Sequence, residues 1–528
     1  MRTRTPLTLA IVALALGAAP AHAAPYDTMI QDDNVLVYGS PQDAANGLAI
    51  MSSLGVDRVR ITVPWSLAAP SPKSRRAPRH FRGEQPDAYA PSRRTYYSTF
   101  ISRIDRAVVL AAQAGIKVDL DIGFGAPRWA AAGFGSRDRL GAVDRPSARE
   151  FGRFARAMGR RYNGAFHPLH GPVAIPRVDV FELWNEANVP TFMQPQWRGG
   201  VPVAADQYRA LVQAAYPAIK AVNRGAKVLI GVTAPGGFAR GGATSPIAPI
   251  PFLRRLACVD ARLRRVHDGG CRHFRRVPGD GFSHHPYALK SPPGVPTSDR
   301  NIVRMANLDR LTSLTTRLVS RHRLAPGARD LWLTESGYET NDPVRTKPWT
   351  LDQQSRLLAQ AEYLAQRNVH VRAFTQFLLR DVQTAAALRL ARRGSKQRAP
   401  GSWQTGLYYE DFRAKPSAFT FPVTLLPVRS GAGTISLFGH IRTDKSGGLE
   451  VHIQGLQPDN TWQTVDTANA SGGDAHPGFI TDPGGVFLRV LRSGNPPQTF
   501  RYSFQRPGGP VTYSLAQPVQ QLDRAPPK

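Results

Sequence analysis

Cysteine is almost missing from this chain: Cys258 and Cys271 are the only two in 528 residues. That excludes a disulfide-rich scaffold. With no further Cys or His at ligand spacing around them, it also excludes a thiolate zinc site. Long apolar runs are missing too. Past residues 7–19 there is no apolar stretch of about 18 residues, so no membrane-spanning helix is expected. Acidic residues are scarce beside basic ones, 38 against 68, for a net charge of +30. The basic residues are mostly Arg, dispersed, and unaccompanied by any nucleic-acid-binding motif. They read as a solvated surface, and no nucleic-acid partner is expected. Attraction to an acidic polysaccharide or cell envelope stays open. Phosphate loops and nucleophile elbows are absent as well: Gly123-Phe124-Gly125 fits neither.

What is present begins with a leader. Arg2 and Arg4 precede the apolar residues 7–19, and Ala21-His22-Ala23 offers small residues for cleavage. Residues 1–24 therefore read as a secretory signal, and the mature protein is expected to be secreted. In an exported chain Cys258 and Cys271 are expected to form a disulfide, stapling a Gly- and Pro-rich insertion at 235–279.

Strand-like and helix-like segments then alternate. Strands are expected at 34–39, 57–63, 117–122, 178–186, 227–232, 281–284, 331–334 and 371–378. Helices are expected at 41–54, 98–114, 147–162, 204–222, 302–321 and 351–366. Alternation over this length implies parallel βαβ units. Past residue 421 the pattern changes to short alternating segments at 434–438, 449–454, 462–465, 486–490 and 499–504, as in a β-sandwich. The expected division is a leader at 1–24, an α/β unit at 25–420 and a β-sandwich at 421–528. The sandwich either packs on the first unit, the reading preferred here, or binds carbohydrate.

Two of the strands deliver a carboxyl group at their ends. Phe181-Glu182-Leu183-Trp184-Asn185-Glu186 breaks from apolar to polar at Asn185 and Glu186, and Leu331-Trp332-Leu333-Thr334-Glu335 ends on Glu335. A carboxyl at the mouth of a buried strand, beside apolar walls, is suited to proton donation. Arg60, between Val59 and Ile61, is expected to face the interior, where an unpaired charge is costly. Trp65, Trp129 and Trp403 lie at strand ends or in the following loops, where aromatic faces can stack on sugar rings.

Asn-Glu after one strand and Glu after another, 149 positions on (335 minus 186), resemble the clan A glycoside hydrolases, nearest to families five and thirty-nine, over most of residues 33–415. The resemblance implies a (β/α)8 TIM barrel with Glu186 as acid/base on strand four and Glu335 as nucleophile on strand seven. It implies that Asn185 bonds the sugar 2-hydroxyl and Arg60 pairs with the nucleophile. His285-Pro286-Tyr287 matches the clan's His-x-Tyr, with Tyr287 near the nucleophile and His285 near the substrate. The chain departs from the clan in having no Trp at the end of strand eight, where Gln376 lies and Trp403 stands in from the next loop. The implied activity is retaining glycoside hydrolysis of a carbohydrate substrate, with no cofactor and no metal. A transglycosylase using the same residues and a non-catalytic polysaccharide-binding protein are the alternatives.

Overall fold

The computed structural model describes residues 26–90, 92–133, 141–288, 290–342, 347–382, 402–444, 449–470 and 485–522. The expected leader at 1–24 lies outside them. Eight strands form a closed barrel: β1 (Asp27–Gln31), β2 (Arg58–Thr62), β3 (Lys117–Ile122), β4 (Val180–Leu183), β5 (Lys227–Thr233), β6 (Gly281–His284), β7 (Leu331–Ser336) and β8 (Val371–Phe377). Every neighbouring pair is parallel and β8 closes onto β1. A helix follows each strand: α1 (Pro41–Ser53), α2 (Phe100–Gln113), α3 (Ala148–Arg161), α4 (Val203–Lys220), α5 (Pro249–Leu256), α6 (Leu308–Ser320), α7 (Leu351–Gln366) and the short α8 (Pro416–Thr420). Parallel strands need such crossovers, and the helices cover the barrel's outside.

The strand period of two divides the barrel wall into two faces. Val59, Ile61, Val118, Leu120, Phe181, Leu183, Val228 and Ile230 join the large apolar core beneath the helices. The alternate positions form a separate small cluster of Met29, Val180, Leu229, Trp332 and Ala373. They also carry a buried polar set that includes Arg58, Arg60, Asp119, Asp121 and Glu182. Register then sets the neighbours: Arg60 lies opposite Asp119, and Asp121 opposite Glu182. On the helices, Phe151, Phe154, Ala155 and Met158 make the buried stripe of α3. Capping boxes start α1, at Ser40 and Asp43, and α7, at Thr350 and Gln353.

The first strand is a correction. Residues 34–39 were expected as β1, but the strand is Asp27–Gln31, and Asp33–Leu36 is a one-turn helix. Asp32 caps that turn, its carboxylate accepting from Val35 N at 3.1 Å. The apolar Val35, Leu36 and Val37 are buried in the core outside the barrel, while the true strand carries Asp27, Thr28 and Gln31 and so reads as polar. The insertion at 235–279 also contains a helix that the sequence reading lacked, α5. Cys258 and Cys271 are bridged there, with sulfurs 2.01 Å apart.

Beyond α8, two antiparallel sheets pack face to face. One contains β9 (Val423–Gly431), β10 (Thr434–Ile441) and β13 (Val486–Arg492); the other contains β11 (Glu450–Leu456), β12 (Trp462–Asn469), β14 (Thr499–Gln505) and β15 (Val511–Tyr513). Leu425, Ile435, Leu437, Val451, Ile453, Phe500 and Tyr502 fill the space between them. The other face of the first sheet meets α7: Leu426, Val428, Phe438, Val486 and Leu488 cluster with Ala359 and Tyr363. Glu362 of α7, buried at this seam, bonds His440 at 2.5 Å and also pairs with Arg442. The sandwich therefore packs on the barrel. Among the described residues no helix is long and apolar enough to cross a membrane.

Candidate active site

At the C-terminal ends of the strands the chain must turn sharply to aim side chains across the barrel mouth. After β4, Trp184 and Glu186 both adopt left-handed backbone, φ 67° and 39°. Such strain in residues with a β-carbon persists only where the surroundings enforce it. Here Glu186 N donates to Val232 O at 2.8 Å, and Val189 N donates to Glu186 O at 2.8 Å. Asn188 ties the turn to the loop after β5, donating to Ala234 O and Ile247 O and accepting from Ala234 N at 2.9 Å. Asn188 is thus a clamp, fully buried and not aimed at the mouth.

This turn and the end of β7 bring two carboxyl groups together. Oxygens of Glu186 and Glu335 and a nitrogen of His285 all lie within 4.8 Å of one another. The two glutamate side chains keep 16% and 13% of their surface exposed, so both remain reachable from solvent. His285 Nδ1 stands between them, 2.9 Å from Glu186 Oε1 and 3.7 Å from Glu335 Oε2. Burial would depress the histidine's pKa, but the Glu335 and Glu186 carboxylates outweigh it and hold it above its ordinary value.

Glu335 receives two donors on separate oxygens. Arg60 Nη1 donates to Oε1 at 2.7 Å and the Tyr287 hydroxyl to Oε2 at 3.0 Å. Donors of this kind favour an ionised carboxylate. Burial, reinforced by the charges of Glu335 and Glu186, lifts the Tyr287 hydroxyl well above its ordinary pKa, so it stays a donor. Arg60 is fully buried, and its other amino group donates to Asp121, Glu182 and Asn185 at 3.1, 3.0 and 3.2 Å. Asn185 Oδ1 is therefore engaged by Arg60.

The tryptophans separate. Trp403, in the loop after β8, stacks on Tyr287 with centroids 6.3 Å apart and meets Phe377 edge-on at 5.4 Å. It forms a half-buried aromatic wall beside Glu335. Trp65 does not: it is fully buried, stacked on Phe154 at 5.6 Å and flanked by Phe151 and Trp129. The expectation that it offers a free face is corrected; the core claims both faces of its ring. Trp129 packs edge-on against Phe81 and donates to Pro70 O at 3.2 Å, holding the loop after β2. Of the twin histidines, only His285 reaches the mouth. His284 sits between Thr233 Oγ1 and Val303 O, its pKa driven to about 3 by burial, and is neutral.

Sequence reasoning passed over Gln31, Asp119, Asp121 and Glu182, all gathered beneath Arg60. The signal for them is the alternation in Lys117–Ile122 (KVDLDI), where Asp119 and Asp121 share one face. A second trio, Asp206 with Cys258 and Cys271, comes as close together, but bridged cysteines offer no thiolate to a metal.

No family model matches the chain, and no curated protein matches it. Solved structures do. An exo-beta-1,4-mannosidase from Opitutaceae bacterium strain TAV5 aligns at 15% identity and TM-score 0.41, over 78% of this chain and 61% of that one. A GH5_18 structure from Streptomyces cattleya in complex with GlcNAc aligns at 14% identity and TM-score 0.44, over 75% and 78%. Xylanase 10C from Cellvibrio japonicus in complex with xylopentaose aligns at 11% identity and TM-score 0.39, over 75% and 66%. This chain spans less than two thirds of the mannosidase's length. Likeness at this level assigns no activity, and the case for one rests on the side chains.

Proposed function

We propose that the protein is a retaining glycoside hydrolase in which Glu335 is the nucleophile and Glu186 the acid/base. The observation that carries this reading is the spacing of the two carboxyl groups, with oxygens within 4.8 Å. Retaining enzymes hold their carboxyl groups about 5–5.5 Å apart, whereas inverting enzymes need about 6.5–9.5 Å to seat a water. The roles follow from the donors. Glu335 accepts from Arg60 and Tyr287, donors that complement the negative charge of a nucleophile aimed at the anomeric carbon. Among the described residues His285 is the one side-chain hydrogen-bond partner of Glu186, which leaves a carboxyl oxygen for the leaving group.

In the first step Glu335 attacks while Glu186 gives its proton to the departing oxygen. In the second, Glu186 takes a proton from water, which hydrolyses the glycosyl-enzyme. His285, 2.9 Å from Glu186, can stabilise the carboxylate left after donation. Trp403 and Tyr287 supply an aromatic wall for a sugar ring. We further propose export, supported by the leader-like residues 1–24 and the bridged cysteines, and a domain boundary near residue 421, where the last barrel helix gives way to antiparallel strands. The test is a panel of aryl glycosides and polysaccharides followed by ¹H NMR of fresh product. Release with retained anomeric configuration is expected; inversion, or no turnover of any glycoside, overturns the assignment.

A further inference from the structure

The floor beneath Arg60 holds more carboxyl groups than its charge can serve. Asp121, Glu182 and Glu335 each accept from this one guanidinium, and Asp119 lies opposite it on β3. The neighbouring cation, Arg58, is already committed to Asp27 at 2.8 Å and Asp179 at 2.5 Å. The other groups facing the cluster include Gln31 on β1, which accepts from Arg60 Nη1 at 2.7 Å, Asp33 after β1, Asn185 after β4, Tyr208 on α4, Ser283 on β6, and His285 and Tyr287 after β6; Ser283 Oγ donates to Glu182 Oε1 at 3.4 Å. Glu182 spans the cluster, one oxygen toward Ser283 and the other on Arg60 Nη2 at 3.0 Å.

We propose that Glu182 is a positioning residue for Glu335, holding Nη2 of Arg60 so that Nη1 meets the nucleophile and dividing the guanidinium's charge with it. The geometry also says which acids are not competitors. Among the described residues no donor reaches either oxygen of Asp119, and one reaches only a single oxygen of Asp121, though both residues are fully buried. A buried carboxylate oxygen without a donor is costly, whereas both oxygens of Glu182 have one, so protons fall on these two acids first. Their pKa values agree in direction, both raised well above the ordinary range, by burial first and, for each, by Glu182 as a further cause. Arg60 is left between two anions, Glu182 below and Glu335 above. Neutralising the lower one should strengthen its hold on the upper one.

This inference rests on Glu335 being the nucleophile, so its test includes a readout that needs no substrate. The chain has only nine glutamates, which makes selective ¹³C-carboxyl labelling tractable, with Glu335→Gln assigning the resonance. Glu182→Gln keeps an acceptor for Nη2 but removes the charge. It should move the Glu335 titration, and with it the acidic limb of kcat/KM, down by about one pH unit. Asp121→Asn mimics an acid that is already neutral and should leave the titration in place; Glu182→Asp, which restores the charge, should return it toward wild type. An unmoved Glu335 titration in folded Glu182→Gln overturns the proposal, and so does an equal shift in Asp121→Asn. A shift by NMR in a protein that turns over no glycoside would instead sink the enzymatic reading and leave the coupling standing.

Discussion

Removing the Glu186 carboxyl should separate the two halves of the reaction. Glu186→Ala deletes the proton donor and opens room beside Glu335, which keeps Arg60 at 2.7 Å and Tyr287 at 3.0 Å. General acid–base help is worth about 10²–10⁴-fold, or about 2.7–5.4 kcal/mol of barrier. That loss should fall unevenly. A dinitrophenyl glycoside leaves without a proton, so forming the glycosyl-enzyme should slow by less than about tenfold. Its hydrolysis still needs a base and should bear the full factor, so stopped-flow should show a burst of phenolate followed by a stall. Azide is anionic and needs no base. It should restore turnover and give a glycosyl azide of retained configuration, whereas azide added to Glu335→Ala should give the inverted product. If the two configurations are exchanged between the variants, the roles of Glu186 and Glu335 are reversed. Near-wild-type turnover of a substrate with a poor leaving group by Glu186→Ala refutes the acid/base assignment outright.

Tyr287→Phe removes one donor from Glu335, at 3.0 Å. A hydrogen bond to a charged group is worth about 1.5–3 kcal/mol, so kcat/KM should fall about 10–100-fold while the melting temperature holds. Glu362→Ala leaves Arg442 buried without its carboxylate at the barrel–sandwich seam and should cost about 3–5 kcal/mol in denaturant unfolding. Burial alone would raise the Glu362 pKa, but Arg442 and His440 hold it below 4.5. Its stabilisation is then present above the unfolded value and lost as pH falls through the folded one, so wild type should lose stability on acidification more steeply than Glu362→Gln. Reducing the bridge between Cys258 and Cys271, 13 positions apart, should cost about 3 kcal/mol by loop closure, read as a lower melting temperature in dithiothreitol.

The barrel was legible where a strand's outward face is apolar and its neighbours in sequence supply turns. Residues 117–122 and 281–284 were placed to the residue, because Val118, Leu120 and Phe282 are buried outward and Gly115 and Gly281 mark the starts. β1 was misplaced for the converse reason. Asp27 and Gln31 are polar because they point into a charged barrel interior, where they serve Arg58 and Arg60. The apolar cluster Val35–Leu36–Val37 next to it is buried in a turn of helix instead of a strand, a choice made by the Asp32 cap. Hydrophobicity finds burial, and it does not by itself distinguish these two ways of being buried.

For the site the limit lies elsewhere. Glu186, Glu335, Arg60, His285 and Tyr287 were each visible as a polar group at a strand end or within a strand, and the fold brings all five together. What the sequence could not show is how many partners each has. Arg60 and Glu335 are 275 positions apart, and their contact exists only because the barrel closes. Closure also aims Asp121 and Glu182 at the same guanidinium, through the register that sets them side by side. An arginine read alone implies one carboxylate partner. The same arginine in a closed barrel answers to three, and what Glu335 meets at the mouth depends on the floor beneath it.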